Sequence, residues 1–124
     1  MARHENFQDE ASAKEAAQAR ADLARTNELA ALRDLLADQR MRDFLYRMLA
    51  KCGMFKNKFH TNAAVMGYNC GFAAMGNVIY DEIVEAFPDA WITMQVEALQ
   101  RQREQVQLDQ IEQQEREQQA NDQE

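Results

Sequence analysis

The apolar residues between positions 41 and 52 recur every three or four positions, which is the spacing of one helical face. They are Met41, Phe44, Leu45, Met48, Leu49 and Cys52. Asp38 precedes this stretch, and its carboxylate can accept hydrogen bonds from the free N–H groups of a first turn. Gly53 follows it and can adopt the left-handed conformation that ends a helix. The sequence therefore predicts a helix between Asp38 and Gly53.

A second helix is predicted from Thr61 or Asn62, either of which can cap it, to about Phe87, just before Pro88. Its core face is predicted to comprise Val65, Tyr68, Phe72, Met75, Ile79, Ile83 and Phe87. The short basic connector Met54–His60 joins the two helices, with Phe55 and Phe59 as apolar anchors. We therefore predict an antiparallel helical hairpin over Asp38–Pro88. Its core-packing residues are predicted to be Phe44, Leu45, Met48, Leu49, Phe72, Ile79 and Ile83.

Three glycines fall inside the second predicted helix, at Gly67, Gly71 and Gly76. Each costs about 1 kcal/mol relative to alanine, so a compensating reason is expected. We predict that a neighbouring backbone packs closely against all three. The alternative, a membrane dimerisation face at Gly67 and Gly71, conflicts with Asn62, Asn69, Asn77 and Asp81, which interrupt the apolar run that a span requires.

The flanks of the hairpin are polar and rich in helix-forming residues. Residues 1–27 form an Ala-rich arm with little to bury, whereas 28–99 hold the helical core, including a leucine stripe at Leu29, Leu32, Leu35 and Leu36. After Pro88, Asp89 is predicted to cap a further helix whose apolar face includes Trp91, Ile92, Val96 and Leu99. Residues 100–124 form a Gln/Glu-rich arm whose apolar heptad positions fail after Val106. The predicted fold class is all-α, a hairpin core with long polar N- and C-terminal helical arms.

Net charge is −7 over 124 residues, and it is unevenly distributed. Residues 1–27 carry −1, 28–60 carry +3, 61–99 carry −5 with no Lys or Arg, and 100–124 carry −4. Opposite charges on the two hairpin helices favour the hairpin and also head-to-tail contacts between copies; solvated faces are the simpler explanation. No signal peptide or membrane span is evident, so we expect a cytoplasmic chain. Cys52 and Cys70 could pair, but in a reducing compartment buried thiols that act as small apolar groups are the better explanation.

The sequence offers little that resembles catalytic chemistry. Cys52, His60 and Cys70 match no zinc spacing, and no phosphate-cradling loop or nucleophile elbow is present. Asp81, Glu82 and Glu85 are better explained as a solvated acidic face than as catalytic carboxylates. We predict no enzyme activity, no cofactor and no metal.

The sequence also contains a basic patch, a local cluster of basic residues. Such a cluster can contact phosphates, since phosphate contact requires little more than clustered cations. The candidates for contact with nucleic acid or an acidic partner are Arg40, Arg42, Arg47, Lys51, Lys56 and Lys58, with His60 at their edge. The acidic net charge and the lack of a helix-turn-helix spacing argue against DNA as the ligand.

Short segments between positions 32 and 97 resemble a small domain family of short-tailed bacteriophages, first catalogued from a Bordetella phage. They are Leu32–Leu36, Arg42, Phe44–Leu49, Cys52–Phe55, Gly71, Gly76–Val78, Ile83, Ala86–Pro88, Met94 and Glu97. The sequence departs from the family pattern at Met41, Tyr46 and Cys70. The resemblance covers about half of the chain and leaves both arms outside.

The resemblance implies a phage structural or assembly protein. We therefore predict a non-enzymatic component that associates with itself or with capsid or portal-proximal proteins through its helical arms, in the virion or in the host cytoplasm during assembly. An internal or ejection-associated protein and a scaffolding factor are two versions of this hypothesis. The alternative from another class is a DNA-packaging adaptor that uses the basic patch at 40–60.

Overall fold

The computed structural model describes the backbone of residues 2–123 and the side chains of residues 6–123, and within this range the protein is all-α. Its helices are α1 (Ala2–Leu36), α2 (Gln39–Lys51), α3 (Ala63–Ala86) and α4 (Pro88–Asp122). Helix α3 packs against both α1 and α4, and α2 packs mainly against α4. The predicted hairpin, α2–connector–α3, is thus one part of a four-helix core.

The two hairpin helices begin where the sequence predicts. The Oδ1 atom of Asp38 accepts from the Arg40 backbone N–H at 2.9 Å, and Oδ1 of Asn62 accepts from Ala64 N–H at 2.9 Å and Val65 N–H at 3.3 Å. Each cap satisfies N–H groups that have no partner inside the helix. Gly53 has φ of +77°, the left-handed conformation expected after the last turn of α2.

The start of α4 differs from the prediction. Pro88 occupies the first turn of α4, Phe87 is the residue before it, and no side chain caps the helix. Asp89 therefore lies inside the first turn and does not cap it. Proline is favoured at this place because its missing N–H would have no intrahelical partner. The negative charge of Asp89 is still favourable in the first turn, because the helix dipole is positive at that end.

The core lies where the end of α1, the end of α2, the second half of α3 and the start of α4 meet. Its fully buried large side chains are Leu36, Leu49, Ile83 and Met94. Leu29, Leu32, Leu45 and Ile79 pack against them and are partly buried. Leu35, which belongs to the same leucine stripe, is half exposed. The core therefore draws on all four helices, and the buried part of α1 is its C-terminal end.

An aromatic cluster extends this core on the side of α4. Tyr46 of α2, Phe55 of the connector and Trp91 of α4 stack with ring centroids 5.2–6.3 Å apart, and Tyr80 of α3 meets Trp91 edge-on at 5.0 Å. Such pairs contribute about 0.5–1.5 kcal/mol each beyond the area they bury. The cluster joins three helices and holds the connector at one point.

Candidate interaction surfaces

The predicted core-packing residues divide into two groups. Leu49 and Ile83 are buried, and Leu45, Met48 and Ile79 are partly buried. Phe44 and Phe72 are 44% and 45% exposed, so their assignment to the core is wrong. Val65, Tyr68 and Met75 of the predicted α3 core face are exposed as well. Of the residues of α3 that are buried, only Ile83 belongs to that predicted face.

The three glycines of α3 differ in how closely other residues pack against them. A Cβ built on Gly76 would lie 3.0 Å from the Cβ of Cys52, so this glycine permits the close approach of the α2 C-terminus. A Cβ on Gly67 or Gly71 would meet nothing within 4 Å among the described residues. The prediction of a closely packed neighbouring backbone is wrong for Gly67 and Gly71; at Gly76 a neighbour does pack closely, through side-chain atoms of Cys52 and Met54. Gly67 and Gly71 cost α3 helix stability, and no compensating contact to them lies among the described residues.

Two residues of the predicted basic patch, Arg40 and Arg42, form ion pairs within the chain. Arg42 donates to Glu97 at 2.8 and 3.2 Å and to the Leu36 carbonyl at 2.9 Å, and both charged side chains are largely buried. Hydrogen bonding to Glu97 raises the pKa of Arg42 above its ordinary value. Arg40 pairs with Asp38 at 3.0 Å on the surface. Arg42 thus ties the end of α1 to α2 and α4 and is not available for an external ligand.

The other predicted basic residues remain accessible. Lys51, Lys56 and Lys58 line one open depression of about 280 Å³, which is closed on the other side by Tyr68, Asn69 and Phe72 of α3. The ion pairs of residues 6–123 include none of these lysines. Arg47 is exposed beside the Phe44 ring, with its guanidinium carbon 5.7 Å from the centroid. The structure therefore brings together three lysines and two aromatic rings, a smaller group than the predicted patch.

The predicted acidic face on α3 is partly engaged. Arg25 of α1 donates to Glu82 at 2.9 Å and to Glu85 at 2.7 Å, and these hydrogen bonds raise the pKa of Arg25 above its ordinary value. Sequence reasoning missed this contact, since it placed Arg25 in the N-terminal arm. A second missed pair joins Arg101 of α4 to Asp43 of α2.

The cysteines and the histidine near the hairpin do not converge on a metal site. Cys52 is partly buried against Gly76, and Cys70 is exposed, which corrects the expectation that it is buried. His60 accepts a hydrogen bond through Nδ1 from the Asn62 backbone N–H at 2.9 Å. Within residues 6–123 no three His, Cys, Asp or Glu side chains lie together as a metal site would require.

Both arms are helical and exposed. Every residue from 6 to 24 and from 102 to 123 is exposed, although α1 and α4 continue through these segments without a break. Exposed apolar side chains occur along them at Phe7, Leu23, Val106, Leu108 and Ile111. No helix within residues 2–123 is long and apolar enough to cross a membrane.

Comparison of the sequence with protein-family models, with curated proteins and with solved structures gives no match. The phage-domain resemblance therefore stays a prediction. What the fold defines is an all-α protein with a small core, two long exposed helical arms and an accessible lysine depression.

Proposed function

We propose that this chain is a non-enzymatic bacteriophage virion structural or assembly protein that acts through helix–helix association. Its partners would be copies of itself or capsid and portal-proximal proteins. The observation that carries the proposal is the pair of arms, residues 6–24 and 102–123, which are helical although their side chains are all exposed. Most helical stability in proteins comes from tertiary packing, which these exposed arms lack within the described residues, so packing against a partner would stabilise them further.

The arms are polar helices with a few exposed apolar side chains. Their polar faces carry favourable i,i+4 pairs such as Glu112 with Arg116, and their apolar residues are spaced too widely for a self-sufficient hydrophobic face. The resemblance to a phage domain family supports a role in a bacteriophage. The exposed helical arms support association through helices. An internal, ejection-associated protein and a scaffolding factor remain two versions of the proposal.

The proposal is tested by particle incorporation. In infected cells that produce the particles, a tagged full-length chain is compared with a variant that ends at Arg101, and copy number is measured by mass spectrometry in procapsids and virions. We expect the full chain in particles and loss of the truncated chain. Presence in virions favours the ejection-associated version, and presence in procapsids alone favours the scaffold. Absence of the full chain from both would contradict the proposal.

A second candidate, a DNA-packaging adaptor, is supported by the depression that Lys51, Lys56 and Lys58 line beside Tyr68 and Phe72. Lysines can neutralise phosphates, and aromatic rings can stack on bases. Retention of DNA should then fall steeply with salt and be lost when the three lysines are changed to Glu. The same charge change at Lys14, Arg20 and Arg103, which are exposed elsewhere, is the control. Equal retention by both triple variants would exclude this candidate.

A further inference from the structure

The first half of α3 carries an exposed apolar face. Val65, Tyr68, Phe72, Met75 and Val78 are 39–66% exposed, and their spacing places them on one side of the helix. Gly71 lies among them, and a shallow apolar depression is lined by Tyr68, Gly71, Phe72 and Met75. Contiguous exposed apolar patches of this kind mark interaction sites. The face is about 20 Å long at 1.5 Å per residue.

This face is symmetric about its own centre, between Gly71 and Phe72. Tyr68 and Met75 lie at equal distances on either side of the centre, and so do Val65 and Val78. When two copies of α3 are placed antiparallel with this centre on a two-fold axis, each Val65 lies opposite a Val78 and each Tyr68 opposite a Met75. The two Phe72 side chains then meet next to the axis, beside Gly71, where the space around the missing Cβ is open. A face that is complementary to itself is what a two-fold interface requires.

Charge favours the same antiparallel arrangement. No charged residue occurs from Thr61 to Tyr80, so the face meets its copy without like-charge repulsion. Lys56 and Lys58 lie beside the first half of α3, and the exposed Asp81, which has no ion pair among the described residues, follows the face. An antiparallel pair brings the lysines of one copy toward Asp81 of the other. A parallel pair would place lysines against lysines.

We infer that a second copy of this chain covers the face formed by Val65, Tyr68, Gly71, Phe72, Met75 and Val78, through an antiparallel α3–α3 contact. The contact accounts for Gly71, against which nothing packs among the described residues. Small residues let two helix backbones approach closely, and Phe72 fills the space that Gly71 leaves. This inference stands on α3 alone, and it goes beyond the proposed function, which rests on the arms.

The first test is the mass of the full chain by sedimentation equilibrium across the micromolar range. We expect a dimer for the natural sequence. Phe72→Glu should raise the dimer Kd by more than about thirtyfold, as for a central aromatic residue of an interface. Asn77→Glu is the matched control, because it adds the same charge to an exposed position on another side of α3 and should leave the Kd unchanged. Circular dichroism establishes that both variants remain folded.

The second test fixes the orientation by disulfide formation in a chain whose Cys52 and Cys70 are replaced by Ala. Chains carrying Val65→Cys should not link to one another but should link to chains carrying Val78→Cys. Phe72→Cys, next to the axis, should link to itself. Linking of Val65→Cys to itself would overturn the antiparallel arrangement.

Two further outcomes would overturn the inference. One is a natural chain that is monomeric throughout the concentration range. The other is a dimer that survives Phe72→Glu and is lost on removal of residues 102–124, which would place self-association in the arms. That second outcome leaves the proposed function intact. Conversely, a confirmed α3 dimer that is absent from particles would contradict the proposed function alone.

Discussion

Gly67 and Gly76 lie on the same helix, but among residues 6–123 only Gly76 has a neighbour close to where its Cβ would be. Alanine at Gly67 would place its Cβ in open space, so the substitution should raise the free energy of unfolding by about 0.5–1 kcal/mol through helix propensity. Alanine at Gly76 would place its Cβ 3.0 Å from the Cβ of Cys52. That atom cannot rotate away from its own backbone, so α2 and α3 must separate.

We therefore expect Gly76→Ala to lower the free energy of unfolding by about 1–2 kcal/mol despite the gain in propensity. Urea unfolding at low protein concentration, followed by circular dichroism, measures both variants. Equal stabilisation of the two would mean that α2 does not approach α3 at Gly76.

Asp38 links the stability of α2 to pH. The Arg40 guanidinium, followed by the Arg40 backbone N–H, holds the pKa of Asp38 below its ordinary value. The unfolded chain therefore binds this proton first as the pH falls. The charge of Asp38 contributes stability at pH values above about 4, and this contribution is lost as the pH falls through the pKa of the folded state.

Asp38→Asn keeps an oxygen that can accept from the Arg40 N–H and removes only the charge. We expect this variant to have a lower melting temperature than the natural chain at pH 7 and the difference to vanish in acid. Asp109→Asn, in the exposed C-terminal arm, provides the comparison. A difference that stays constant from pH 7 to pH 2 would show that the charge of Asp38 contributes nothing.

At the scale of elements, the ion pair between Arg42 and Glu97 fastens α2 to α4. The side chains are 16% and 13% exposed, so removal of one charge leaves the other poorly solvated. We expect Glu97→Gln to lower the free energy of unfolding by about 2 kcal/mol, less than for a fully buried pair. Glu112→Gln makes the same chemical change in the exposed pair with Arg116 and should have almost no effect. Equal urea midpoints for the two variants would contradict this role for Glu97.

The helices themselves were predictable because their determinants are local. The caps Asp38 and Asn62, the period of the apolar residues and the stop at Gly53 all act within a few positions of the chain. The start of α4 was predicted less well, since Asp89 and Pro88 are both favoured near a helix N-terminus and the sequence does not rank them. Long-range pairs were not predictable. Arg25 and Glu82 are 57 positions apart, and nothing local connects them.

The same limit applies to the candidate surfaces. Six basic residues share a stretch of sequence, but Glu97, which lies on another helix, removes Arg42 from the patch. Phe72 belongs to a helical face that the period identifies, yet only the arrangement of the other helices decides that it stays exposed. The sequence alone therefore assigned the exposed α3 face to the core.

At the scale of the whole molecule, we expect the stability of the core to be independent of the C-terminal arm. A chain ending at Arg101 loses residues that are exposed throughout the described part of the arm, 102–123. We expect its urea midpoint to match that of the full chain, while its helical circular dichroism falls by the share of residues removed. A midpoint that shifts strongly would mean that the arm stabilises the core, and an unchanged helical signal per molecule would mean that the arm is not helical in solution.

The two arms also govern how the molecule moves through a liquid. Residues 102–122 of α4 alone extend about 32 Å as a helix, more than twice the radius of gyration of about 14 Å expected for a compact chain of this length. Such a particle experiences far more friction than a sphere of equal mass. A single copy should therefore elute from a gel-filtration column with the volume of a much heavier sphere, and the elution volume alone would suggest an assembly where none exists.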